Sequence, residues 1–453
     1  MTISNKHYSI FLLVLVTVVL FGACGCERPK DEEVVPPQKD TTVVEPENMI
    51  WSGKPYFNVP VENKDSVEAQ LAIKVRITSD TKQLVYELDD TVTVAGNTKK
   101  EFAMTTPENM NPGFYRALCL VNGKSVRNFA FGVDPFDIVS APDMQSDFTE
   151  YWENAKTQLA GVEMNAVLTE ITDKSSASRK VYLVELNSVP DGLEGEPVKI
   201  RGYYCEPTDG DKHPVIMHFY GYDTQGSKSK CECPNGGSSS YAEFYLSHRG
   251  QYLNNRPAGT NPGIDEETVN IYGDWFAYEF GNKDSYYYRG AFMDVVRAVD
   301  FMASRESSDM TKLFAEGSSQ GGALCYAAAS LSNYPFTAFA ANVAFLGDFP
   351  DYFKIVDWPK STAKQEAKKK GMTDDEMYAF LSYYDTKNLA TRIHCPVLAT
   401  SGLLDGTCPP HTNIAPYNLI DHPDKEYHFY PNMTHDYPRD WFSMIGNFWK
   451  KFQ

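Results

Sequence analysis

The sequence predicts an α/β protein: a doubly wound sheet over residues 135–453, preceded by a small all-β sandwich domain at 48–134. Three observations carry that reading. Up to Asp134 the chain is built of short runs that alternate apolar and polar residues, the period of a half-buried strand. After Asp134-Pro135, apolar runs alternate with stretches of helical period, the pattern of strand–helix–strand units and a parallel sheet. Within that second part, the strand-like run Lys312 to Glu316 meets a glycine-rich turn and then an Ala-rich helix, Ala323 to Leu331.

The first residues read as a targeting signal. Lys6 and His7 precede an apolar run from Ile10 to Phe21 and the small residues Gly22-Ala23. That run falls short of the ~20 residues a membrane span needs. Its layout is that of a secretory signal peptide over 1–23. Leu20-Phe21-Gly22-Ala23-Cys24 resembles a bacterial lipobox, with Phe21 where Leu is usual, so Cys24 is the expected lipidation site and a membrane the expected partner. Simple secretion is the alternative. Lys30-Asp31-Glu32-Glu33 resembles the acidic export tag of some surface lipoproteins. Residues 24–47, rich in Pro, Asp, Glu, Val and Thr, read as a disordered tether. The expectation is an exported protein, lipid-anchored at a bacterial outer membrane or cell surface, otherwise periplasmic or secreted.

In the front domain, Leu71, Ile73, Val75 and Ile77 share one strand face. Gly113 to Leu120 and Val126 to Val133 flank Asn122-Gly123, a strong hairpin signal. No convergent Ser, His and acid set stands in this domain; spacing is its expected role, with carbohydrate contact and assembly as the alternatives. Behind it, Phe148, Trp152, Ala155 and Leu159 form a helical stripe, as do Phe292, Val295, Val296, Val299 and Met302. Val181 to Leu186, Val198 to Tyr204 and Pro214 to Tyr220 read as strands, the last apolar enough to be covered on both faces. Val356 to Leu381 reads as a helical insertion whose wet side is Lys364 to Lys370. Pro396 to Gly402 and Glu426 to Tyr430 are the last strands. Trp441, Met444, Ile445, Phe448 and Trp449 mark the final helix.

Charge and cysteines narrow the function classes. A formal net charge of −18 opposes non-specific binding to nucleic acid, which needs a positive surface. Nine cysteines include Cys24 and Cys26 near the leader. Among the rest, Cys231 and Cys233 are spaced C-x-C, and no second cluster completes a zinc site. No metal or cofactor is expected.

The glycine-rich turn carries the chemistry. Gly317-Ser318-Ser319-Gln320-Gly321 is a G-x-S-x-G elbow in the strand–turn–helix context that such an elbow needs, with Ser319 at its centre and Ser318 out of register. A serine hydroxyl is a weak nucleophile until a base takes its proton, and a carboxylate must orient that base. In this arrangement the acid and then the base follow the serine along the chain. Asp405 sits just past the strand ending at Gly402, and His435 lies in the loop after the last strand. Asp421 and Asp424 fall in a connection, Asp436 and Asp440 follow His435, and His394, His411, His422 and His428 occupy strands or turns without that context. One oxyanion donor is expected from the backbone N–H of Gln320, the other from the loop Tyr220-Gly221-Tyr222.

Four segments together resemble the acetyl xylan esterase and cephalosporin C deacetylase family, carbohydrate esterase family 7 of the α/β-hydrolase superfamily. They are Gly317-Ser318-Ser319-Gln320-Gly321-Gly322; Arg249-Gly250-Gln251; Tyr286-Tyr287-Tyr288-Arg289-Gly290; and Gly402-Leu403-Leu404-Asp405 with Cys408-Pro409-Pro410-His411-Thr412. The resemblance implies Ser319 as nucleophile, Asp405 as acid and His435 as base. It also implies oxyanion donors at the backbones of Tyr222 and Gln320, with Arg249 and Gln251 as a supporting shell. It implies a serine esterase that removes O-acetyl groups from acetylated xylo-oligosaccharides or related carbohydrates through an acetyl-enzyme. An acetylated oligosaccharide is then the partner, and homo-oligomerisation a further expectation. Tyr220 stands where the family has His, Tyr252 where it has Gly, and Asp436 where it has Glu, so a different pocket wall is expected. Two other readings stay open: a peptidase or lactonase using the same three residues, and a carbohydrate-binding surface lipoprotein with a decayed hydrolase domain.

Overall fold

The computed structural model describes residues 42–106, 110–225, 229–235, 238–254 and 270–453. The leader, Cys24 and most of the tether lie outside the described residues. Seven strands form the front domain: β1 (Ile50–Trp51), β2 (Tyr56–Asn63), β3 (Ala69–Ser79), β4 (Leu84–Val94), β5 (Thr98–Thr105), β6 (Gly113–Val121) and β7 (Lys124–Val133). A five-stranded sheet in the order β1-β7-β6-β3-β4 faces the antiparallel pair β2-β5. Leu71, Ile73, Val75 and Ile77 of β3 and Phe57, Val59 and Val61 of β2 are all buried. Alternate residues thus fill the space between the sheets. Asn122 (φ 47°) and Gly123 (φ 77°) both take positive φ, as a two-residue hairpin turn between twisted strands requires.

The tether is shorter than its composition suggests. Asn58 Nδ2 donates to Val43 O at 2.7 Å, and Arg127 Nη1 pairs with Glu45 at 2.6 Å. An acidic side chain that finds a half-buried guanidinium is held on β2 and β7 rather than released to water.

The second domain runs α1 (Phe148–Ala160), β8 (Val167–Glu170), β9 (Arg179–Ser188), β10 (Val198–Pro207), β11 (His213–Phe219), β12 (Cys231–Glu232), β13 (Ala242–Ser247), β14 (Leu253–Asn254), α2 (Tyr287–Ala303), β15 (Ser308–Ser318), α3 (Gln320–Leu331), β16 (Ala338–Asn342), α4 (Phe349–Ile355), α5 (Lys360–Lys370), α6 (Asp374–Leu381), α7 (Thr386–Ala390), β17 (Val397–Gly402), α8 (Pro410–Leu419), β18 (Lys425–Tyr430) and α9 (Trp441–Trp449). Its nine-stranded sheet has the order β18-β17-β16-β15-β11-β13-β10-β9-β8. From β13 to β18 the neighbours are parallel. At the other edge β8, β9, β10 and β13 pair antiparallel; short connections join β8 to β9 and β9 to β10, while β13 follows β11 and β12 in the chain. The parallel centre is apolar on both faces. Ile216, Phe314, Ala338, Ala340 and Leu398 pack on Trp441, Ile445, Phe448 and Trp449 of α9. Their alternates Val215, Met217, Leu313, Ala315 and Phe339 join the main core with α2 and α3. The helical insertion between β16 and β17 comprises α4 to α7.

The two sheets' domains are tied side by side. Phe114 of β6 packs on Phe429 of β18 (5.8 Å between ring centroids), and Phe136 packs on Tyr417 and Phe429 (6.0 and 6.1 Å). Asn418 Nδ2 of α8 donates to the carbonyls of Pro135 and Ile138 at 3.2 and 3.0 Å. The β domain therefore leans on β18 and on α8, the helix that follows the Asp405 loop.

Candidate active site

β15 delivers Ser319 and α3 leaves from it, with the Ser319 backbone at φ 58°, ψ −121°. A non-glycine residue holds such a conformation only when its surroundings constrain it. Close approach supplies the constraint: a Cβ at Gly317 would collide with the backbone of Gly321, and one at Gly321 with the carbonyl of Phe219. Ser319 N–H donates to Asn342 O at 2.9 Å, and Phe345 N–H donates to Ser319 O at 3.0 Å. The hydroxyl is lifted above the carboxyl ends of the parallel strands, where open α/β sheets place their ligands.

The loop after β18 brings His435 over this turn. Its Nε2 is 2.9 Å from Ser319 Oγ, and its Nδ1 is 2.8 Å from Asp405 Oδ2. The Asp405 side chain is fully buried. Its other oxygen accepts the N–H groups of Thr407 and Cys408 at 2.8 and 2.9 Å, which offsets the loss of water. With Asp405 accepting from Nδ1–H, the network assigns Nε2 as the acceptor for the serine proton.

Gln320 begins α3 directly after Ser319, so its backbone N–H belongs to the unpaired first turn of a helix. Its buried amide is fixed on both sides: Oε1 accepts from Tyr288 Oη at 2.8 Å, and Nε2 donates to His248 Nε2 at 3.0 Å. Burial pushes His248 down to about 4, so it stays neutral and able to accept that bond. Tyr222 follows β11, beside the elbow. A Cβ at Gly221 would meet Ser229 Oγ at 3.1 Å and Ser318 O at 3.6 Å. The Tyr222 hydroxyl donates to Asp274 Oδ1 at 2.6 Å. Its ring meets Trp275 (5.1 Å), Trp358 (5.4 Å) and Phe345 (6.2 Å).

Arg249 and Gln251 brace this loop and α2. The Arg249 guanidinium is buried and forked onto Asp294 (2.8 and 2.9 Å), with Asp191 at 2.9 Å and the Val189 carbonyl at 3.0 Å. Gly290 in α2 has no side chain because Arg249 occupies that space. Gln251 Nε2 donates to Ser229 O, and Ser229 abuts Gly221. Tyr220 turns away from Ser319: its ring joins the Cys205, Cys231 and Cys233 cluster, and its hydroxyl accepts Glu232 N–H at 3.2 Å. β12 and the cysteine cluster thus hold the Tyr220 ring. Tyr252 supplies a carbonyl to Cys231 N–H at 2.8 Å.

Four contributors were not legible from local sequence. Asn342, buried at the end of β16, donates to Ser318 Oγ at 2.7 Å and to the carbonyl of Asp436 at 3.1 Å, so it ties the elbow to the loop carrying His435. His248 and Tyr288 steer Gln320. The available signal was a lone polar residue closing the apolar run Ala338 to Ala341. Trp358, expected inside a helix, lies before α5 and stacks on Phe345 (5.3 Å, 15°).

The other histidines serve packing and charge. His218 stands between Glu316 (2.8 Å) and Glu243 (3.5 Å). His411 stands between Asp80 (3.2 Å) and Asp351 (3.3 Å). Among the described residues, Asp348, Asp351 and His411 converge within 4.8 Å. Lys387 Nζ already lies 3.0 Å from Asp348, and the carboxylates of Asp351 and Asp80 outweigh burial to raise His411 to about 9. That cluster is an ion-pair network with its cations in place. The seven cysteines beyond the leader are free and buried.

The acetyl xylan esterase (AXE1) family model matches residues 138–451, which leaves the β sandwich outside the match. Acetyl esterase Axe7A of Xylanibacter ruminicola is 27% identical over 325 residues, 69% of this chain and 68% of that protein. The solved acetyl xylan esterase of Paenibacillus sp. R4 superposes with a TM-score of 0.57 at 26% identity, over 70% of this chain and 98% of its own. Acetyl xylan esterase 1 of Thermoanaerobacterium sp. JW/SL YS485 shares the fold with the same TM-score at 22% identity, over 70% and 97% of the two chains. With an α/β-hydrolase sheet, a strained serine elbow and a family match across its whole second domain, this chain belongs to the acetyl xylan esterase family and is a carboxylic ester hydrolase.

Proposed function

We propose that the protein removes O-acetyl groups from acetylated xylo-oligosaccharides or related carbohydrates, with Ser319 as nucleophile, His435 as base and Asp405 as its orienting acid. The observation that carries this reading is the hydrogen-bonded line Ser319–His435–Asp405 in a chain of this family. Ser319 Oγ attacks the acetyl carbonyl carbon while His435 Nε2 takes the hydroxyl proton. The tetrahedral oxyanion is met by the backbone N–H groups of Gln320 and Tyr222, each worth on the order of 3 kcal/mol in the transition state. His435 returns the proton to the departing sugar oxygen, leaving an acetyl-enzyme. A water that gives its proton to His435 then attacks the acyl carbon, and acetate leaves as Ser319 regains its hydrogen. Asp405 stays ionised and stabilises the imidazolium. The aromatic rings of Tyr222, Phe345 and Trp358 crowd the loop beside the elbow, which suits a short acyl group.

Ser319→Ala removes the nucleophilic oxygen and keeps the Cβ. Acetate release from acetylated xylo-oligosaccharides should fall by at least about 10³-fold while the far-UV spectrum and melting temperature stay near wild type. Turnover retained in that variant would overturn the assignment. A wild-type enzyme that cleaves peptides or lactones and leaves acetylated sugars intact would replace the substrate class.

A further inference from the structure

We infer that the cleft between the β sandwich and the catalytic domain is a carbohydrate subsite. It holds sugar units of the substrate beyond the one that carries the acetyl ester. This inference rests on the carbohydrate reading above and assigns the front domain a part in it.

The cleft has a volume of ≈ 490 Å³, inside the roughly 300–1,000 Å³ range of ligand pockets, and it lies at a domain junction, where such pockets gather. The front domain lines one wall with Ser79, Lys82 and Arg116; the catalytic domain lines the other with Asp357, Leu404 and Pro409. A sugar ring offers hydroxyls around its rim and C–H groups on its faces, and this lining offers both kinds of partner.

The two cations are the telling feature. Lys82 and Arg116 are exposed, and neither has a carboxylate within ion-pair distance among the described residues. Two of the cleft's acids are engaged, Asp80 by His411 at 3.2 Å and Asp405 by His435 at 2.8 Å, and Asp357 on the opposite wall lies beyond ion-pair distance of both cations. A guanidinium presents several donors in one plane, a geometry that matches two neighbouring sugar hydroxyls.

Position and seating complete the case. Asp357 on the catalytic wall is followed by Trp358, whose ring stacks on Phe345 and meets Tyr222 beside the elbow. Leu404 precedes Asp405 itself. Asp405, the partner of His435, lines the cleft as well. The front domain is seated on the catalytic domain, with Asp80 3.2 Å from His411 of α8 and Phe114 packed on Phe429 of β18. A passive spacer needs no such seat.

The test compares wild type with a Lys82→Ala/Arg116→Ala double variant on p-nitrophenyl acetate, acetylated xylose and acetylated xylotetraose. Both side chains are exposed, so folding should survive their loss. The expected result is that wild type favours the tetraose, and that the variant's kcat/KM ratio of tetraose to p-nitrophenyl acetate falls about tenfold, through KM. An unchanged ratio would overturn the subsite and leave the esterase reading intact. A wild type that hydrolyses p-nitrophenyl acetate and neither acetylated sugar would overturn the carbohydrate reading, and the subsite with it.

Discussion

Arg249 touches none of the atoms that react, yet it sits at the centre of the site's scaffold. Its charge is buried, and so is that of Asp294, whose side chain has no exposure. Taking either ion out of water is unfavourable; the forked pair with additional bonds to Asp191 and Val189 O compensates. Burial opposes the charged guanidinium, and Asp294 outweighs it to hold the Arg249 pKa above its ordinary value. Arg249→Met should destabilise the fold by about 3–5 kcal/mol, because it strands the Asp294 carboxylate. Urea unfolding measures this. Loss of activity with unchanged stability would instead place Arg249 in direct contact with substrate. Gln320 illustrates the same logic at lower stakes. Two buried partners point its amide, and its backbone N–H is thereby held still at the nucleophile.

At the scale of elements, the elbow depends on how closely β11, β15 and α3 approach one another. Gly321 lets the first turn of α3 pass the end of β11, and any side chain there meets the Phe219 carbonyl. Gly321→Ala should shift α3, cost about 1–3 kcal/mol of stability and remove most esterase activity, since the Gln320 N–H moves with the helix. Melting temperature and acetate release on the same preparation check both effects; full activity would show that the helix can relax around a methyl group. The Ser–acid–base order was legible because each residue sits at a strand end marked by local apolar runs. The oxyanion loop was legible only as a stretch of three residues. The orientation of Tyr220 was not, since it depends on a two-residue pairing of β12 with β14.

Over the whole molecule, buried histidines make stability pH-dependent. For His218, burial works against protonation, but hydrogen bonds to Glu243 and Glu316 outweigh it and raise the pKa to about 9. Tyr245 stacks on its ring, and Arg179 pairs with Glu243 from β9. His411 is raised to about 9 as well, with Asp351 and Asp80 overcoming its burial. A folded-state pKa above the unfolded value near 6.5 stabilises fully below that value, and the contribution is lost as pH rises through 9. The melting temperature should therefore fall by on the order of a few degrees between pH 7 and 9.5. In His218→Gln that slope should flatten; an identical slope would assign it to other groups.

By itself the sequence determined the kind of those elements with a clear apolar period, such as β3, β6, β7, α1, β11, α2, β15 and α9, the chain order of Ser319, Asp405 and His435, and the family resemblance, because apolar period and short motifs are local properties. It also determined that the elbow needs glycine on both sides of the serine. Only the tertiary structure decided the antiparallel edge of the sheet, the parts played by Asn342, His248 and Trp358, and the seat of the β domain. Those depend on contacts such as Asp80 with His411 and Asn342 with the Asp436 carbonyl. Residues so distant along the chain leave no shared period or motif; their pairing exists only once the sheet has brought its strand ends together.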